Sequence, residues 1–262
     1  MNNLQFQSGA IDATDCIGNA WTQVTAKFGL YLGMGLVTFL LISCIPLANY
    51  IVYGPVMAGF YYVALKDMRG EPVEFGELFR GFDKFVTLMV VGLIQLIPTI
   101  ILQILQTAGD VTRIFMAGAG SRRGDFYQTS NFPDLGLSQG VIFALIGVFL
   151  VIWLFSIIWY LAFMFAVPIA MENDIGAIEA LKLSVRAAFS NLGGLIVLLI
   201  LSILVGLLGL AALCVGFFVA MPVVWVANAF AYRQVFPWME QRMNFNPPPP
   251  TAYGDLNSGL QG

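Results

Sequence analysis

Histidine is absent from this 262-residue chain. That removes the commonest general base, the commonest metal ligand and the side chain that changes charge near neutral pH. Cysteine is scarce. Cys16, Cys44 and Cys214 stand far apart, odd in number and with no CxxC pair. They read as packing thiols, with neither a disulfide framework nor a metal site. Charge is scarce too: Asp, Glu, Lys and Arg make up 10 % of the chain, where a soluble domain carries about a quarter. No basic tract is present to hold nucleic acid. The start, MNNLQFQSGAIDATD, lacks the ordered basic region, apolar run and cleavage site of a signal peptide, so none is expected to be cleaved.

What is abundant is apolar sequence, at 59 % of the residues. It falls into six segments punctuated by Pro, Gly and polar clusters. About 20 apolar residues cross a hydrocarbon core of about 30 Å. The expected fold is therefore all-α: an integral membrane bundle with six transmembrane helices at 29–47, 51–65, 86–107, 139–167, 192–213 and 216–235. The 51–65 segment is short and is expected to be tilted or re-entrant. Three amphipathic helices should lie at the interface. In 11–28, Ile17, Trp21, Val24 and Phe28 share a face. In 66–84, Phe75, Leu78, Phe79 and Phe82 form a stripe that continues to Phe85, and the charges lie off it. In 175–190, Ile178, Leu181 and Val185 face away from Glu179 and Arg186. Mixed charge and the lack of a polybasic run leave specific binding of acidic lipids unsupported.

Residues 1–235 read as one membrane domain, 108–138 as a polar loop, and 236–262, with Pro247 to Pro250, as a disordered tail. On a six-span layout, nine Lys and Arg lie on one face and three on the other, the latter being Arg113, Arg122 and Arg123 of the loop. Positive charge stays inside. Both termini are thus expected in the cytoplasm and the 108–138 loop outside, with the bacterial inner membrane as the location.

The span interiors hold no charged side chain, which weakens any ion-coupled transport. Their main polar residues are Gln95, Thr99, Gln103 and Asn228. These either line a small polar site or make ordinary interhelical hydrogen bonds, worth about 1 kcal/mol or less each. The small pairs Gly29/Gly33, Ala212/Gly216 and Ala227/Ala231 suit close helix packing or a dimer face. Carboxylates of the 66–84 stretch are interleaved with Lys and Arg, the pattern of a solvated face.

Two stretches carry a resemblance. One runs from Gly54-Pro55-Val56-Met57-Ala58-Gly59-Phe60 through Leu65-Lys66-Asp67-Met68-Arg69-Gly70-Glu71-Pro72 to Phe75-Gly76-Glu77-Leu78-Phe79-Arg80-Gly81-Phe82. The other is Val167-Pro168 with Ala177-Ile178-Glu179-Ala180-Leu181-Lys182-Leu183-Ser184. Over roughly 12–235 the chain resembles a broad group of bacterial inner-membrane proteins. That group is similar to the membrane region fused to some glycerophosphodiester phosphodiesterases. The resemblance implies a multi-pass membrane protein of unknown biochemical role. The soluble phosphodiesterase domain has no counterpart in this sequence, so no enzymatic activity follows.

Two functions compete. One is a non-catalytic accessory, scaffolding or lipid-interacting protein, whose partners are the lipid bilayer and other membrane proteins or further copies of itself, with no cofactor. The other is a permease or channel for a small neutral or amphiphilic solute. An internal parallel repeat is also expected, with units 12–66 and 173–233. At an offset of 161, Ile17 meets Ile178, Val24 meets Val185, Phe28 meets Phe189 and Gly33 meets Gly194. After the hairpin turn the offset is 167, and Pro55 meets Pro222 and Lys66 meets Arg233.

Overall fold

The computed structural model describes residues 6–43, 48–120, 139–212 and 215–237. Most of the expected 108–138 loop and nearly all of the Pro-rich tail lie outside them. Among the described residues every element is helical: α1 Ala13–Ala26, α2 Phe28–Ser43, α3 Ala48–Met68, a 3-10 helix Phe75–Lys84, α4 Phe85–Gln95, α5 Ile97–Gly120, α6 Gln139–Phe163, α7 Ala166–Glu172, α8 Ala177–Ser190, α9 Leu192–Ala211 and α10 Val215–Val235.

Three apolar stretches, Gly147–Glu172, Leu192–Ala211 and Gly216–Val235, are long and apolar enough to cross a membrane, and two bent helix pairs raise the number to five. The chain is thus a helical membrane protein with three to five candidate spans. Large apolar side chains on α6 and α9 are exposed along much of their length, among them Phe149, Val151, Leu154, Ile200, Leu204 and Leu208. Hydrocarbon, unlike water, is an indifferent solvent for such surfaces.

Asp12 starts α1. Its carboxylate accepts hydrogen bonds from the backbone N–H groups of Thr14 and Asp15, which the first turn leaves without helical partners. At Lys27 the chain bends by 103° into α2.

The expected short segment 51–65 is instead the continuous 21-residue α3. Val56, Ala58, Phe60, Val63, Ala64 and Leu65 are each exposed by 1 % or less. Residues 54 to 61 are all buried, more than two full turns at 3.6 residues per turn, so every side of the helix is covered. Asn49, Tyr53, Tyr61 and Tyr62 lower its hydropathy below that of the candidate spans. A helix sheathed by protein does not need a lipid-compatible surface, which is why a helix too polar to count among the candidate spans can be so deeply buried.

The expected 86–107 span is broken at Leu96 into α4 and α5, bent by 58° when the 3-10 helix and α4 are taken together. Pro98 has no N–H to give to the Ile94 carbonyl four residues back. Trp159 fills that place, donating its indole N–H to Ile94 O at 2.9 Å. Beyond the break α5 runs through residue 120, so the first part of the expected 108–138 loop is helix. The expected 139–167 span is likewise interrupted, between Phe163 and Ala166, and Pro168 lies buried inside α7 rather than beyond the span's end.

Helices α1 and α8 have 14 residues each, and α3 and α10 have 21 each. Pro55 and Pro222 both stand eighth in their helix. The 167 offset of the second arm matches these boundaries. The 161 offset of the first arm does not. Ala13–Ala26 and Ala177–Ser190 align at 164, which pairs buried Cys16, Ala20 and Val24 with buried Ala180, Ser184 and Ala188. The two registers differ by three residues, close to one helical turn. A shift of that size keeps apolar residues opposite apolar residues, and only burial separates the two registers.

Candidate functional site

The interruptions in the helices leave carbonyl groups without their usual partners, and a buried carbonyl must be satisfied. Side chains from other helices do this. Gln95 donates its amide to Phe163 O, and Ser184 donates its hydroxyl to Ala162 O at 2.8 Å. Gln95, the last residue of α4, therefore locks the α4–α5 break onto the α6–α7 break.

Beside this lock is a cavity of about 70 Å³ lined by Tyr53, Met57, Tyr61, Gln95, Tyr160, Met164, Val167, Trp225 and Asn228. It holds room for only a few water molecules. The lining is supplied at helical spacing. Tyr53, Met57 and Tyr61 recur every four residues on α3, Tyr160 and Met164 do so around the α6 end, and Trp225 and Asn228 are three apart on α10. Such spacing puts each set on one helix face. Asn228 is 6 % exposed. It donates its amide to the Tyr160 hydroxyl at 3.2 Å and interacts with Tyr61. Trp225 meets Phe60 edge to face at 5.1 Å between ring centroids.

Of the four polar residues expected from the sequence, Gln95 and Asn228 line this cavity. Thr99 and Gln103 do not: both are exposed on α5, beyond the bend. A straight 86–107 helix would have set Gln95, Thr99 and Gln103 on one face, and the break at Leu96 turns the last two away. The tyrosines were missed as lining. Their signal in the sequence is the four-residue spacing of Tyr53 and Tyr61 through Met57.

A second polar cluster joins the ends of α3, α7 and α10. Glu172 bonds to Arg233, accepts from the Tyr232 hydroxyl at 2.8 Å and lies 3.5 Å from Arg69. Lys66 pairs with Glu77 at 2.5 Å, with both side chains about 15 % exposed. Lys27 pairs with Asp67, whose other oxygen accepts from the Tyr31 hydroxyl at 2.7 Å. Lys84 pairs with Asp174 at 2.8 Å and also reaches carbonyl oxygens at the end of α7. The expected solvated charged face on 66–84 is kept by Glu74, Arg80 and Asp83, which are exposed, but not by the Lys66–Glu77 pair. Lys66 and Glu77 are mostly covered because the 3-10 helix lies flat along α3.

In the Lys66–Glu77 pair each partner shifts the other's titration. The bond from Lys66 holds the Glu77 carboxyl below its ordinary range, and that same bond raises the Lys66 ammonium. Lys84 lowers Asp174. In α1, burial pushes the Cys16 thiol up to about 12, and the neighbouring charges of Asp12 and Asp15 add to the rise. Among the described residues no three His, Cys, Asp or Glu side chains converge as metal ligands would. No known protein family matches the chain, and neither a curated protein nor a solved structure is significantly similar to it.

Proposed function

We propose that the chain is a non-catalytic multi-pass protein of the bacterial inner membrane, with an accessory, scaffolding or lipid-interacting role. The observation that carries this reading is where the polar groups go. The carboxylates and cations at the meeting of α3, α7 and α10 bond to one another, and Gln95 and Ser184 serve backbone carbonyls. Groups so engaged keep a fold in register and are not free for chemistry. The resemblance to bacterial inner-membrane proteins belongs to the same proposal.

The proposal includes six spans, with buried α3 counted beside the five candidates, and both termini in the cytoplasm. It also includes an internal repeat of 12–66 and 173–233, supported by the matched helix lengths and prolines. Labelling with a membrane-impermeant thiol reagent tests the layout in a background with the native cysteines replaced. Ser121→Cys should label in intact cells and Ser258→Cys only after lysis. The reverse pattern overturns the orientation.

One observation favours a second reading, a permease for a small neutral solute: the Gln95–Asn228 cavity, with Tyr160 at its mouth. Its small volume favours the first reading. Proteoliposomes shrinking under an osmotic gradient of glycerol or urea decide between them. Uptake faster than in protein-free vesicles, and abolished by Asn228→Leu, establishes the permease and removes the first reading.

A further inference from the structure

One side of α8 packs into the bundle through Ala180, Ser184, Ala187 and Ala188. The adjoining side forms an open groove of about 400 Å³ with Ile94 and Phe163. Its floor is apolar, and Lys182 and Arg186 stand on its rim. Ile178, also in its lining, is 66 % exposed.

The two cations differ from Lys27, Lys66, Arg69, Arg80, Lys84 and Arg233. Lys27, Lys66, Arg69, Lys84 and Arg233 are paired with carboxylates. Arg80 lies over the Tyr62 ring at 5.7 Å. Among the described residues, Lys182 and Arg186 have no carboxylate within ion-pair distance. They are four apart on one helix, so they converge on the same patch of space.

The groove also has a defined level. Ile94 and Phe163 are the carbonyl sites held by Trp159 and Gln95, where α5 and α6 leave the packed bundle. Beyond that level both helices expose apolar side chains, among them Ile104, Leu105, Val151 and Leu154. Trp159 and Tyr160 stand at the level itself, as aromatic residues do at a headgroup boundary.

We infer that this groove binds one anionic phospholipid, with an acyl chain along Ile94, Phe163 and Ile178 and the headgroup phosphate between Lys182 and Arg186. Charge complementarity selects this occupant. Two cations without internal counter-ions, on the rim of an apolar floor, match a molecule with an anionic end and an apolar end. A zwitterionic lipid brings its own cation and gains less. The inference deepens the lipid-interacting reading and rests on the chain being embedded in a membrane.

The test uses the full chain, delipidated in detergent and titrated with phosphatidylglycerol, phosphatidylcholine of the same acyl chains, or inorganic phosphate, with bound species read by native mass spectrometry. Phosphatidylglycerol should bind more tightly than phosphatidylcholine, and inorganic phosphate should not compete. K182Q/R186Q should lose roughly 30-fold in phosphatidylglycerol affinity, as expected for two interfacial charges. R80Q should lose none. Ile178→Asp, a change at an exposed position, should abolish the preference without lowering the melting temperature. Equal binding of the two lipids overturns the inference, as does a preference that survives K182Q/R186Q or competition by free phosphate. A co-purifying polypeptide that occupies the site instead of lipid, and is lost in K182Q/R186Q, also overturns it. Extraction of the native protein from membranes by alkaline carbonate would instead sink the membrane reading itself, so the two failures are distinguishable.

Discussion

The carbonyl oxygen of Pro55 lies against Gly81, so close that a Cβ at position 81 would sit 1.9 Å from it. The same Cβ would meet the Gly59 nitrogen at 2.8 Å. Backbone touches backbone where the 3-10 helix crosses α3, and neither side can rotate away. Gly81→Val should therefore destabilise the detergent-solubilised protein by about 3 kcal/mol or prevent its accumulation. Gly29→Ala, where a Cβ meets nothing within 4 Å, serves as the control and should be neutral. Thermal unfolding followed by size-exclusion chromatography compares them. A stable, monodisperse Gly81→Val protein would contradict the crossing.

Asn228 and Tyr160 hold α10 to the end of α6. Tyr160→Phe removes one partner of the Asn228 amide and should cost about 1 kcal/mol or less, as interhelical hydrogen bonds in membranes do. Thr99→Val and Gln103→Leu should change stability by much less, because both positions are exposed on α5. Equal losses at all three positions would argue for a single polar cluster and against the bend at Leu96.

Cys16 should be nearly inert in the folded protein. Its thiol is pushed from 9.0 to about 12. The reactive thiolate is then about a thousandfold rarer near pH 8 than for an ordinary thiol. In a Cys44→Ser, Cys214→Ser background, maleimide labelling at pH 8 should be slow until detergent and heat unfold the chain. Rapid native labelling would mean that α1 does not dock as described.

The Lys66–Glu77 pair gives stability a pH window. Glu77 has a depressed folded pKa, so its contribution is complete above the ordinary glutamate value near 4.5 and is lost as pH falls through the lower folded value. Lys66 has a raised folded pKa, so its contribution is complete below 10.5 and is lost as pH rises through the higher folded value. Melting temperature measured from pH 3 to 7 should fall at the acid end, and Glu77→Gln should flatten that fall. An unchanged acid profile in Glu77→Gln would assign the loss to other carboxylates.

Several elements were legible before any coordinates. The helices expected over 11–28 and 175–190 appear as α1 and α8, but Trp21, Phe28 and Ile178 of the expected apolar faces are exposed, and small residues such as Ala20 and Ala187 pack into the bundle instead. The long apolar runs at 139–167, 192–213 and 216–235 were equally plain. Less legible were the breaks. The 86–107 stretch was expected as one span, and its division at Pro98 goes with Trp159, 61 residues away, donating to the Ile94 carbonyl. The polar residues suffered from the same gap. Gln95 and Asn228 meet at one cavity, while Thr99 and Gln103 are carried off by a bend that no local pattern encodes.

Composition by itself determined the solvent and the secondary structure: with so few charges and such long apolar runs, backbone groups must be satisfied within helices. Absence of histidine and the isolation of the cysteines set the limits on chemistry. Pairing belonged to the tertiary structure. The sequence counts twelve Lys and Arg, but only the packing of α3, α7, α10 and the 3-10 helix commits Lys66 to Glu77 and Arg233 to Glu172 while leaving Lys182 and Arg186 beside an apolar groove. A cation's charge is fixed by its residue type; whether a carboxylate of the same chain stands within reach is set by segments distant in sequence and brought together only by the fold.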